Sequence, residues 1–203
     1  MADSLYLSLW FPRFTPDEML ARTRAVLEQF PASSQRPGVT QVEAHGIAWN
    51  EAVVFEDRIS PGIPPAQAVE LLREFAQADH GFVFEMWWDL WAPRDAAEDD
   101  PDEAHWIDRP VAVTFVVNGI DFHDGAHQEE GHIKVDFGLD TPFLYEEERH
   151  TPDLEARVRV NVAKLVAFTL AVERNCGIAS RLLWSESEEN LAQKLIARLQ
   201  KVQ

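Results

Sequence analysis

The hydrophobic period of this chain switches repeatedly over its first 91 residues, and that switching constrains the fold more than any other feature of the sequence. Leu5, Leu7, Leu9 and Phe11 alternate with Tyr6, Ser8 and Trp10, which is the pattern of a strand with one deeply buried face. Thr15-Pro16-Asp17-Glu18 then supplies a capping box with proline at the first helical position. Met19, Leu20, Thr23, Val26, Leu27 and Phe30 follow at helical spacing, so a helix is predicted over 16–30. Two β-like runs come next, Val39–Trp49 and Val53–Ile59, with a turn at Asn50-Glu51. The break Pro61-Gly62-Ile63-Pro64-Pro65 launches a second helix reaching Ala78, with Ala68, Leu71, Leu72, Phe75 and Ala76 on its core side. His80–Trp91 reads as a strand again.

The resulting order, β-α-β-β-α-β, is that of the ferredoxin-like split βαβ arrangement, an antiparallel sheet with two helices on one face. A proline- and acid-rich stretch over 93–108 reads as a solvated loop. Two further strands are predicted at Val111–Val117 and Gly131–Gly138, and the remainder as helix. Leu154, Val158, Val162, Leu165, Thr169 and Val172 hold a helical rhythm, which Val160, Ala163, Ala167, Leu170 and Ala171 widen. Such a helix, apolar nearly all round, is expected to be central and covered on several sides, ending at Gly177. Ser185-Glu186-Ser187-Glu188 is a second capping box, before a narrower stripe at Leu191, Leu195, Leu199 and Val202. The expectation is one α+β domain over 1–203 with an antiparallel or mixed sheet. A ferredoxin-like half spans 1–92, an acidic loop 93–108, and strands plus a C-terminal helical pair 109–203.

Charge narrows the function. There are 35 acidic side chains against 18 Lys and Arg, a formal net charge of −17, and no lysine occurs before Lys134. That field repels phosphates and anionic lipid, which disfavours nucleic-acid or membrane binding and favours a basic partner or a cation. A hydrophobic fraction of 46% is ample for a core, and no window offers the ~20 apolar residues of a membrane helix. The start, Met-Ala-Asp-Ser, lacks the basic region of a signal peptide, and the lone Cys176 leaves no disulfide framework, so a cytoplasmic setting is expected. Cys176 reads as a buried, inert thiol.

Three groups of residues could carry chemistry. On the strand around Trp88, Glu85, Trp87, Asp89 and Trp91 share one face, and carboxylate interleaved with indole suits a cation, a sugar or a basic peptide. Asp99 and Asp100, in the acidic loop, extend that candidate surface. The segment 121–132 gathers His123, Asp124, His127, Glu129 and His132, whose imidazoles and carboxylates are ligand types for a divalent cation. His132, Lys134 and Asp136 alternate along one strand, where His132 could serve as a general base or the face could simply be solvated. Nucleophile-elbow and phosphate-loop motifs are absent.

The leading expectation is a non-catalytic binding protein that docks a basic or cationic partner through Trp87, Trp91 and the acidic residues. Immunity and adaptor proteins use the same physics, an analogy of character only. The alternatives are a metal-dependent hydrolase at His123, His127 and His132, and a module stacking a small ligand on Trp87 and Trp91. No cofactor is expected beyond that divalent cation, and the oligomeric state is open.

Overall fold

The computed structural model describes residues 3–93, 106–144, 151–186 and 191–200. Strands β1 (Ser4–Trp10), β2 (Val39–Gly46), β3 (Val53–Ile63), β4 (His80–Pro93), β5 (Trp106–Asn118), β6 (Ile133–Leu139) and β7 (Ser180–Ser185) form one sheet. Its order is β3-β2-β4-β5-β6-β1-β7, and every neighbouring pair is antiparallel. Helix α1 (Pro16–Leu27) follows β1, and α2 (Pro65–Leu71) with a 3-10 turn at Arg73–Phe75 precedes β4. Short helices α3 (His127–Glu130) and α4 (Thr141–Leu144) flank β6, while α5 (Pro152–Asn175) and α6 (Leu191–Gln200) bracket β7.

The α+β class and the antiparallel sheet agree with the sequence, but the ferredoxin-like order does not. That order would set β1 beside β4, whereas β1 lies between β6 and β7, with three strands separating it from β2. Periodicity identifies elements, not neighbours. A third additional strand, β7, also forms where helix was expected; its six residues pair along Leu5–Trp10. The second helix is shorter than predicted: it ends at Leu71, which is exposed, and a 3-10 turn at Arg73–Phe75 replaces its expected last part.

Topology explains where the helices sit. Counting antiparallel steps across the sheet makes β1 parallel to β2, β3 to β4, and β6 to β7. The three crossovers turn in the same rotational sense relative to their strands. With a common right-handed connection they all land on one side. There Met19, Val26 and Leu27 of α1, Ala68 of α2, and Val162, Leu165 and Phe168 of α5 share one core. They meet the inward strand residues Leu7, Phe84, Trp88, Phe115 and Phe137. Phe168 meets Phe115 and Phe137 edge-on, and Phe30 meets Trp88 with centroids 5.3 Å apart. Helix α5 covers the core with one side only. Val160 is 45% exposed and Ala163 and Ala167 face outward, so the apolar circumference reflects small residues rather than burial all round.

One edge within the sheet needs separate cover. β2 pairs with β4 only as far as Val39 opposite Met86. Beyond it the β4 edge would be bare, a template for unwanted strand pairing. Ser33 N–H donates to the Trp87 carbonyl (2.6 Å) and Lys164 Nζ to the Asp89 carbonyl (2.5 Å). Asn161 of α5 then acts as a surrogate strand: its Oδ1 accepts from Trp91 N–H (3.0 Å) and its Nδ2 donates to the Trp91 carbonyl (2.6 Å).

Candidate functional site

With all three crossover helices on one side, the other face of the sheet carries its outward residues in rows fixed by register. One row runs Gln41, Glu85, Thr114, Asp136, Tyr6, Trp184, and the next Glu43, Val83, Val116, Lys134, Ser8, Leu182. At ~4.8 Å between strands, Glu85 and Tyr6 stand about 14 Å apart. Between them lie the small or polar residues Ala112, Thr114 and Asp136. Aromatic groups mark both sides. Tyr6 and Trp184 pack with centroids 4.6 Å apart, and Trp184 Nε1 donates to Ser8 Oγ (3.1 Å). Across the face, Trp87 Nε1 donates to Thr40 Oγ1 (2.9 Å) and Glu85 Oε1 (3.0 Å), while the Thr40 hydroxyl donates to the same Glu85 oxygen (2.8 Å).

The carboxylates of this face accept hydrogen bonds from neighbouring side chains and backbone of the sheet. Glu85 has the indole and the hydroxyl just described, and Asp136 accepts from Gly138 N–H (2.8 Å). Glu43 is met by the Gln41 amide and by His45 Nε2 (3.0 Å). Of the bases on this face, Lys134 pairs with Glu130 (2.6 Å) and Arg58 with Glu56 (3.0 Å), while Arg36 lies over the Trp87 ring. The surface is therefore negative, with aromatic flanks.

The expected strand site divides. Glu85 and Trp87 stand together on the open face, and the guanidinium of Arg36 lies 4.0 Å from the Trp87 ring centroid. Asp89 instead ties down the 33–36 loop, accepting from Ser33 Oγ (2.5 Å), Ser34 N–H (3.1 Å) and Ser34 Oγ (3.2 Å). Burial alone would raise its carboxyl, but these hydroxyls and the amide, with the charge of Lys164, hold it below its ordinary value. Trp91 packs against the core beneath Arg157, 4.6 Å from its ring centroid. That guanidinium is fixed by Asp153 (2.7 Å) and the Trp106 carbonyl (2.8 Å). Asp99 and Asp100 lie outside the described residues.

The histidine segment is brought only partly together. His127 and His132 stack with centroids 4.9 Å apart and planes at 14°. His132 Nδ1 accepts the Phe11 amide (3.0 Å), and its ring lies against Phe14. Burial, with His127 beside it, pushes His132 down to about 4, and burial also lowers His127 against the opposing charge of Asp121. With Nδ1 engaged and its pKa far below neutral, His132 is poorly suited to act as a general base near pH 7. His123 and Asp124 sit exposed on a left-handed turn (φ 48° and 55°) that Gly125 completes, and Glu129 is exposed on α3. Among the described residues no group of three or more His, Cys, Asp or Glu is arranged to hold a metal ion. Cys176 is buried with Sγ 3.4 Å from the Ala25 carbonyl, and burial pushes its thiol up to about 11.

Sequence reasoning missed Tyr6, Thr40, Glu43, Thr114 and Trp184. The alternation of Tyr6 and Ser8 with buried leucines did announce a second face for β1, but nothing local said that this face would be left without a helix.

No family model matches this chain, and no curated protein or solved structure is detectably similar to it.

Proposed function

We propose that this chain is a non-catalytic binding protein that docks a basic polypeptide on the open face of its sheet. The observation that carries the reading is the charge pattern there: Glu43, Glu85 and Asp136 stand on this face with no Lys or Arg salt bridge among the described residues, flanked by Trp87 and by the Tyr6–Trp184 pair. A partner surface offering arginine or lysine around an apolar residue complements that pattern, with the aromatic rings as anchors and the carboxylates setting register. The net charge of −17 adds long-range steering of a cationic partner. Compared with the sequence-based candidate surface, the contact moves from Trp91 and Asp89, which serve the chain's own packing, toward Tyr6, Asp136 and Trp184.

The test is an isotope-edited NMR titration with a short peptide alternating arginine and leucine. Amide shifts confined to the strands β1, β2, β4, β5, β6 and β7 and weakened strongly by Asp136→Lys are expected, with affinity falling steeply between about 0.05 and 0.5 M salt. Shifts confined to the helical face, or binding indifferent to Asp136→Lys and to salt, would overturn the reading.

A further inference from the structure

Two arginines of this chain lie over tryptophan rings, and they differ in what else holds them. Arg157 over Trp91 is pinned by a carboxylate and a backbone carbonyl. Arg36 over Trp87 has, among the described residues, no carboxylate partner for its guanidinium; its backbone N–H is bound by Ser33 Oγ (3.2 Å) and the ring is its seat. That seat is itself built. The Trp87 indole N–H is held by Thr40 and Glu85, which anchors the ring edge, and donation to a carboxylate enriches the ring face a cation sees. Trp87, Glu85, Thr114 and Asp136 are contiguous on the open face.

We propose that the Trp87 ring with Glu85 beside it is a recognition seat for an arginine side chain of the partner, and that Arg36 occupies it in the free protein as a resident competitor. The inference rests on the docking reading above and names what that partner presents. A planar guanidinium suits the seat better than an ammonium, because it stacks flat on the indole while its edge still offers N–H donors. Arg36 sits in an exposed loop between Ser33 and Pro37, so it can leave the ring without disturbing the core.

The experiment titrates Nα-acetyl-arginine amide into the protein and follows the Trp87 indole N–H resonance, assigned with Trp87→Phe. If Arg36 fills the seat about nine-tenths of the time, Arg36→Ala should tighten apparent affinity about tenfold. The lysine analogue should bind several-fold more weakly, and Glu85→Gln, which keeps the shape and removes the charge, should weaken the arginine probe in the Arg36→Ala background. Equal affinity with and without Arg36, no saturable shift, or indifference to Glu85→Gln would overturn the seat. Asp136→Lys separates the two ideas. It should impair the arginine–leucine peptide while leaving the single-arginine titration unchanged, so either can fail without the other.

Discussion

Replacing His132 with asparagine should remove an acid-sensitive component of stability that the fold makes unavoidable. Phe11 N–H is committed to the lone pair of His132 Nδ1, so protonating the ring destroys that acceptor and buries a charge beside His127. The folded value of about 4 lies below the ordinary 6.5, so between those limits the unfolded chain binds the extra proton. The contribution is therefore complete above pH 6.5 and is lost as pH falls toward 4. The full difference corresponds to about 3 kcal/mol, and discounting for solvent screening at the ring edge leaves about 2 kcal/mol. Asparagine offers Oδ1 near the position of Nδ1 and does not titrate, so the Phe11 amide keeps an acceptor. Urea unfolding followed by tryptophan fluorescence at about pH 7, 5.5 and 4.5 should show the native chain losing about 2 kcal/mol more than His132→Asn. Stopping there avoids Asp89, whose lowered carboxyl contributes stability that is lost only as pH falls below its ordinary 3.8. The difference between the two proteins therefore reports the His132 ring together with its effect on the stacked His127. Parallel loss in the two would refute the argument.

Asn161→Ala removes both partners of the Trp91 backbone and bares the β4 edge; about 2–3 kcal/mol of stability should go, read as a lower urea midpoint, and a change under 1 kcal/mol would contradict the surrogate-strand account. Gly81→Ala puts a methyl 2.5 Å from the Phe122 ring, and a loss of about 1–3 kcal/mol by thermal or urea unfolding is expected. Ile47 is 68% exposed at φ 68°, a conformation that β-branched residues adopt at a cost, so Ile47→Asn should raise stability by about 0.5–1 kcal/mol in the same assay.

Most elements could be read from periodicity because the two repeats differ so clearly: leucines at every second residue in β1, and apolar residues three and four apart in α1. What could not be read was adjacency. The decision that β1 pairs with β6 and β7 is made by crossovers whose direction no local pattern records. β7 escaped because six residues following a long helix give too short an alternation to stand out. The site was half legible for the same reason. Period two put Trp87 and Trp91 on one face, yet β2 ends opposite Met86 and α5 reaches Trp91, so neighbouring indoles meet different surroundings. The Asp89 carboxylate finds its hydroxyls 55 and 56 residues earlier in the chain, which no spacing rule reveals.

Placing every crossover helix on one side divides the labour of the sequence. Residues such as Phe84 and Val135 answer to the core, where the loss of a few methylenes costs several kcal/mol, whereas the outward Thr114 and Val116 are only half-buried and Leu182 is exposed. Outward positions that make no contact beyond the sheet are thus freer to change at little expense to folding than the core positions beside them. A chain built this way can be retargeted by rewriting a surface of alternate residues, with the scaffold beneath left untouched.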